Sequence, residues 1–122
     1  MTNEAGPFLD AAHVADLIDL DKGKGAVFAR FVEHFVALSP AKVAALGSYA
    51  RSGDLANLSE SAHTLRGSAG NVGAFRLAVL LGRIEAAGKT GDASAAKGCL
   101  ALLDAEYEST RVALLAAAKA VR

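Results

Sequence analysis

The stretch Asp54-Leu55-Ala56-Asn57-Leu58-Ser59-Glu60-Ser61-Ala62-His63-Thr64-Leu65-Arg66-Gly67-Ser68-Ala69-Gly70-Asn71-Val72 carries apolar residues at Leu55, Leu58, Ala62, Leu65, Ala69 and Val72. Steps of three and four place them on one stripe of a helix, which must lie against neighbouring elements. His63 is not on that stripe. At the helical turn of about 100° per residue it lies roughly 130° from the stripe's centre, so its ring is expected to project toward solvent.

The same periodicity extends outward in both directions. Upstream, Ser52-Gly53-Asp54 combines a helix stop with a fresh N-cap, which makes the next helix double back antiparallel. Before it, Phe28, Phe31, Val32, Phe35, Val36, Val43, Leu46, Tyr49 and Ala50 read as one helix kinked at Ser39-Pro40. Asp10 caps a short first helix with Val14, Leu17 and Ile18, separated from the next by Asp21 to Gly25. Downstream, the histidine-bearing helix ends near Gly70, and Asn71-Val72-Gly73 leads to a helix with Ala74, Leu77, Ala78, Leu81 and Ile84 on one face. That helix ends in Gly88-Lys89-Thr90-Gly91, and Asp92 or Ser94 caps the last one. Its seam is Leu103, Tyr107, Thr110, Leu114, Ala117 and Val121. Alternating runs are scarce, so the expected fold is all-α: an antiparallel four-helix bundle with a short N-terminal lid helix, one domain over residues 1–122.

Composition agrees. Of 122 residues, 52% are hydrophobic and 21% charged, and the mean hydropathy is +0.30, which suits a packed core and excludes a disordered tail. Thirteen basic and 13 acidic side chains give a formal net charge of +0, which argues against nucleic-acid binding through bulk positive charge. The single cysteine, Cys99, has no intramolecular partner and points to a reducing compartment, by default the cytoplasm. Met1 to Phe8 shows no basic-then-apolar signal, and no apolar run nears the roughly 18 residues that span a bilayer. A chain beginning at Met1 is expected to be free-standing.

His63 has unusual neighbours. Arg66, Gly67 and Gly70 follow it on the same face, and each glycine in a helix interior costs about 1 kcal/mol relative to alanine. The bare strip either gives a bulky group access to the ring or permits tight packing against a neighbouring helix. Arg66 is placed to pair with an anion brought to the ring. His13 and His34 lack such a setting, and His34, between Glu33 and Phe35, reads as a partly covered bundle residue. No GxxxxGK[ST] loop or carboxylate cluster suited to Mg²⁺ is present, and His34, three residues after Phe31, forms no Glu-x-x-His pair of the kind that bundle metal sites use, so neither ATP chemistry nor a bundle metal site is expected.

The segment Ala62-His63-Thr64-Leu65-Arg66-Gly67-Ser68-Ala69-Gly70-Asn71-Val72-Gly73-Ala74 resembles the signature of histidine phosphotransfer (HPt) domains. The resemblance extends to the lid helix, the bundle and the Gly-Asp turn before the histidine-bearing helix. It implies that His63 is phosphorylated, that Arg66 takes the place of a usual lysine, and that Gly67 matches a family glycine. It further implies that Glu85 on the next helix orients the imidazole, with Lys89 one turn later. A carboxylate accepting the Nδ1 proton would leave the Nε2 lone pair as nucleophile.

On this resemblance the chain is a phosphocarrier between aspartates of receiver domains, belonging to response regulators or a hybrid kinase. It is expected to be a monomer with no cofactor of its own, Mg²⁺ being supplied by the receiver. The docking patch is expected near Leu17, Ile18, Ser59, Gly67 and Gly70, with core packing as the alternative for Leu17 and Ile18. The competing function is an HPt-like adaptor that is not phosphorylated and binds or inhibits a kinase or receiver.

Overall fold

The computed structural model describes residues 7–121. Met1 to Gly6 and Arg122 lie outside the described residues, and with them the ends of the 1–122 span and most of the N-terminal stretch Met1 to Phe8. Five helices follow in order: α1 (Ala11–Asp19), α2 (Ala26–Ser52), α3 (Leu55–Asn71), α4 (Phe75–Thr90) and α5 (Ala93–Ala120). The four long ones form the bundle, a closed ring in which α2 touches α3, α3 touches α4, α4 touches α5 and α5 returns to α2, while the short α1 packs on α2. No strand occurs among the described residues.

The boundaries follow from local chemistry. Asp10, Asp54 and Asp92 each accept a hydrogen bond from the backbone N–H three residues on, satisfying one of the orphan donors at a helix start. Helix α2 is capped differently. Its N-cap is Gly25, which has no side chain, and the Asp21 carboxylate reaches forward instead to accept from the N–H groups of Gly25, Ala26 and Val27 at 2.9 to 3.2 Å. Gly53 ends α2 at φ 75°, in the left-handed region that favours glycine, and Asp54 begins α3 at once.

Helix α2 runs through Pro40 as a single element, as expected. Next to that interruption, Ser39 is buried and donates to the Phe35 carbonyl at 2.6 Å. Because its one proton is used there, the Tyr107 hydroxyl of α5, 2.6 Å away, must donate to the Ser39 oxygen. This buried pair ties α2 to α5 at mid-height.

The seams sit largely where the spacing places them. Leu58, Ala62, Leu65, Ala69 and Val72 are buried on α3, with Leu55 half-buried, and Leu77, Leu81 and Ile84 are buried on α4. Departures lie at the surface. Phe31 is 43% exposed, because α2 presents it beside the bundle rather than into it. His34 is exposed, not partly covered, one turn further along that face. Leu17, only 7% exposed, packs in the core and Ile18 packs against it, so the docking role expected for the pair gives way to packing. Helix α1 is also fastened at the α3–α4 turn: the Asp10 N–H donates to the Gly73 carbonyl at 2.7 Å, and His13 Nε2 lies 2.8 Å from the Asn71 carbonyl. No helix among the described residues is long and apolar enough to cross a membrane.

Tyr107→Phe keeps the ring and removes the donor to Ser39. It is expected to lower unfolding free energy by about 1 kcal/mol, the usual net value of one hydrogen bond, measured by urea denaturation. An unchanged midpoint would mean that the hydroxyl pair contributes nothing.

Candidate functional site

Three side chains converge on one carboxylate where α3 meets α4. His63 projects from α3 with its side chain 62% exposed, and its Nδ1 lies 2.9 Å from Glu85 Oε2. Arg66, one turn later, places Nη2 3.1 Å from Glu85 Oε1, and Lys89, one turn after Glu85 on α4, places Nζ 3.0 Å from Oε2. Glu85 itself is buried, at the inner edge of the α4 seam beside Ile84. Lys89 pairs with it at i, i+4, yet burial keeps the carboxylate from being a solvated helix-edge charge.

Burial alone would push the Glu85 carboxyl upward. The hydrogen bonds from Lys89 and His63, with the positive charge of Arg66, outweigh it and hold the carboxyl below the usual range. An ionised Glu85 can only accept, so its contact with His63 is a hydrogen bond when Nδ1 carries the proton, the tautomer whose Nε2 holds the lone pair. Arg66 Nη2 also lies 3.1 Å from the same Nδ1, a contact that is a hydrogen bond only if that nitrogen is unprotonated.

The helix contact that brings these groups together rests on small residues. Ser59 is buried, not exposed on the His63 face, and its hydroxyl donates to the Glu85 carbonyl at 3.1 Å. Its expected docking role is therefore corrected: a short side chain one turn before His63 is drawn into the α3–α4 interface. Opposite it, a methyl on Gly88 would stand 2.8 Å from the Ser59 Cβ. Gly82 similarly leaves room for the Arg66 stem, whose Cδ lies 3.4 Å from where its methyl would be. Sequence spacing marks Gly88 only as part of the helix ending, whereas it lies inside α4, and it does not mark Gly82; each lies three residues from Glu85, which is the signal that points to them.

Gly67 and Gly70 are of the other kind. Both are exposed, and a methyl on either would meet nothing within 4 Å, so tight helix packing does not explain them. They leave a bare strip along α3 beside the His63 ring. Next to it, Leu65, Ser68, Asn71 and Val72 of α3 join Phe31, His34 and Leu38 of α2 around a cleft of about 380 Å³. Phe31, which has the spacing of a core residue, and Leu38 stand 43% and 46% exposed on its rim. Among the described residues, no group of three or more His, Cys, Asp or Glu side chains is placed to hold a metal ion.

A four-helix bundle that presents one histidine to solvent and backs it with a buried carboxylate has the architecture of a phosphocarrier. The sequence profile of the Hpt domain family matches residues 30–113, and the chain belongs to that family. The match begins within α2 and leaves the lid helix outside. The chain is similar in fold to the crystal structure of histidine-containing phosphotransfer protein B (HptB) from Pseudomonas aeruginosa PAO1, with a TM-score of 0.84, 22% identity, and coverage of 96% of this chain and 99% of that one. No curated protein matches the chain. Its function is that of the family: a histidine phosphotransfer domain that carries phosphoryl groups in a two-component phosphorelay and is not a kinase in its own right.

The depressed Glu85 value sets a sign for stability against pH. With the folded value below the unfolded one, near 4.3 for a free glutamate, the contribution is fully present above about pH 5 and is lost as pH falls through the lower folded value. Glu85→Gln is therefore expected to flatten the acid limb of a denaturation curve followed by circular dichroism. Superimposable acid limbs would show that the carboxylate is not coupled to folding.

Proposed function

We propose that His63 is the phosphoacceptor, that Glu85 orients it, and that Arg66, with Lys89 behind it, offsets the charge of the phosphoryl group. The observation that carries this assignment is the 2.9 Å contact between His63 Nδ1 and the buried Glu85 carboxylate, on a ring whose opposite edge faces solvent. In the transfer step the Nε2 lone pair forms a bond to phosphorus, and the bond between phosphorus and the donor aspartate oxygen breaks. The released carboxylate keeps the electron pair. The ring keeps its Nδ1 proton and becomes cationic, a charge that Glu85 neutralises across the existing hydrogen bond. The reverse step returns the phosphoryl group to an aspartate of a second receiver.

The partners proposed are receiver domains of response regulators or of a hybrid kinase, which would bring their own Mg²⁺ to the phosphoryl oxygens. Their seat would be the bare Gly67–Gly70 strip together with Phe31 and Leu38 across the cleft. Apolar side chains rimmed by polar ones suit a transient protein contact. The chain would act as a monomer, and its lone Cys99 favours a reducing compartment such as the cytoplasm.

His63→Gln should fold as the wild type does and take no phosphoryl group from labelled phospho-receivers, whereas wild type should give an acid-labile, alkali-stable product. Label retained on the Gln variant would overturn the assignment. Absence of label on wild type with every receiver tested, alongside intact receiver binding, would favour the unphosphorylated adaptor. Gly67→Leu should fold and yet transfer poorly, since its side chain would fill the open strip.

Leu38→Glu places a charge on the cleft rim without touching His63 or Glu85. It is expected to weaken receiver binding by about tenfold, a typical loss for an anchor residue at an interface. Unchanged affinity by calorimetry would move the docking surface elsewhere.

A further inference from the structure

His63 Nδ1 has two suitors that cannot both be satisfied. It lies 2.9 Å from Glu85 Oε2, which can only accept, and 3.1 Å from Arg66 Nη2, which can only donate. With the proton on Nδ1 the ring bonds to Glu85 and exposes a nucleophilic Nε2. With the proton on Nε2 the ring accepts from Arg66 and has no lone pair to offer at its exposed edge. Resting on the assignment of His63 as phosphoacceptor, we infer that Arg66 contests the His63 tautomer, holding part of the population in the unreactive Nε2–H form until an anionic phosphoryl donor draws the guanidinium away.

In both arrangements the surrounding charged groups keep partners. When Nδ1 is protonated, Arg66 still has Glu85 Oε1 at 3.1 Å. When Nδ1 turns to Arg66, Glu85 Oε2 still has Lys89 Nζ at 3.0 Å, so the buried carboxylate is never left unpaired. Arg66 is also held against the ring from behind. Its Cδ rests over Gly82, 3.4 Å from where a Cβ there would stand.

The release follows from charge. An incoming aspartyl phosphate presents several anionic oxygens, and a guanidinium binds such a group through paired N–H donors. Arg66 is 43% exposed and three residues along the same face as His63, within reach of a group placed at Nε2. Once its N–H turns to the phosphoryl oxygens, Glu85 is the remaining partner of Nδ1. The ring then gives its Nε2 proton to water and takes one from water at Nδ1, with no net change in protons, and the lone pair faces phosphorus. An uncharged electrophile supplies no such pull, so it meets a partly blocked ring.

The test compares wild type with Arg66→Met, which keeps the stem over Gly82 and removes every donor, and with Arg66→Ala as a second variant. Nitrogen-15 shifts of the His63 ring, read without any phosphodonor, report the tautomer. Carbethoxylation by diethyl pyrocarbonate, resolved at His63 by mass spectrometry, reports reactivity toward an uncharged electrophile. Both variants are expected to raise the Nδ1–H fraction and to carbethoxylate about threefold faster, the shift that one competing hydrogen bond of ordinary net strength supports. Transfer from a phospho-receiver should slow in the same variants. An unchanged tautomer and an unchanged carbethoxylation rate would overturn the inference, even if transfer slows, and would leave Arg66 as a phosphoryl counter-charge alone. If the tautomer shifts as stated while wild type accepts no phosphoryl group, the phosphoacceptor assignment fails and the contest for Nδ1 stands.

Discussion

A methyl group at Gly88 would lie 2.8 Å from the Ser59 Cβ and 2.9 Å from the Leu55 carbonyl oxygen, so α3 and α4 run together at that level only because a hydrogen stands there. Separations that short are not found between real side chains and their neighbours, and moving α4 away would lengthen everything that depends on it. The Ser59 hydroxyl could no longer reach the Glu85 carbonyl. One turn along α3, His63 Nδ1 would withdraw from Glu85 Oε2. The contact between the ring and Glu85 thus depends on the thickness of a helix interface, and a glycine on the far side of that interface decides the thickness.

The same interface explains how a carboxylate is kept charged where a solvated one would be cheaper. Removing Glu85 from water favours its neutral form, and two helices answer with donors from opposite directions: His63 and Arg66 from α3, Lys89 from its own helix. The donors remain exposed while the acceptor is buried, so each keeps part of its hydration. Such an arrangement holds the charge in place without burying a second one.

Much of the fold was legible because helix ends are written in local chemistry. Asp10, Gly53 with Asp54, and Asp92 each act on backbone groups within a few residues, and no knowledge of the distant fold is needed to place them. The outward direction of His63 was legible for the same reason, as a matter of angle on one helix. What escaped depends on contacts between helices. Ser59 reads as part of a docking patch, yet a small hydroxyl one turn from His63 slips into the interface and finds a carbonyl across it. Phe31 has the spacing of a core residue but faces outward beside α3, and Leu17 has the look of a surface anchor but fills the space beneath the lid. The resemblance placed Glu85 beside the histidine, whereas its burial and the number of cations on it emerge only when α3 and α4 are set side by side.

The charge balance of the site explains why a carboxylate rather than a neutral amide suits this position. Glu85, Arg66 and Lys89 carry −1, +1 and +1, which sum to +1 with the imidazole neutral. On attack the ring gains +1, so a phosphoryl group of about −1.5 to −2 charge brings the cluster to between about +0.5 and 0. A neutral acceptor would raise the resting charge to +2 and draw the donor more strongly, but it would leave the cationic ring formed on attack without a counter-charge at Nδ1. The carboxylate gives up part of the long-range attraction, which a receiver's own cation can supply. In return, with His63 as the proposed phosphoacceptor, it would stabilise the charge that appears on the ring only as the nitrogen-phosphorus bond forms, a stabilisation no partner could provide from the solvent side. Division of labour follows from geometry: the exposed edge of His63 is left to the partner, and the buried edge is governed by this chain.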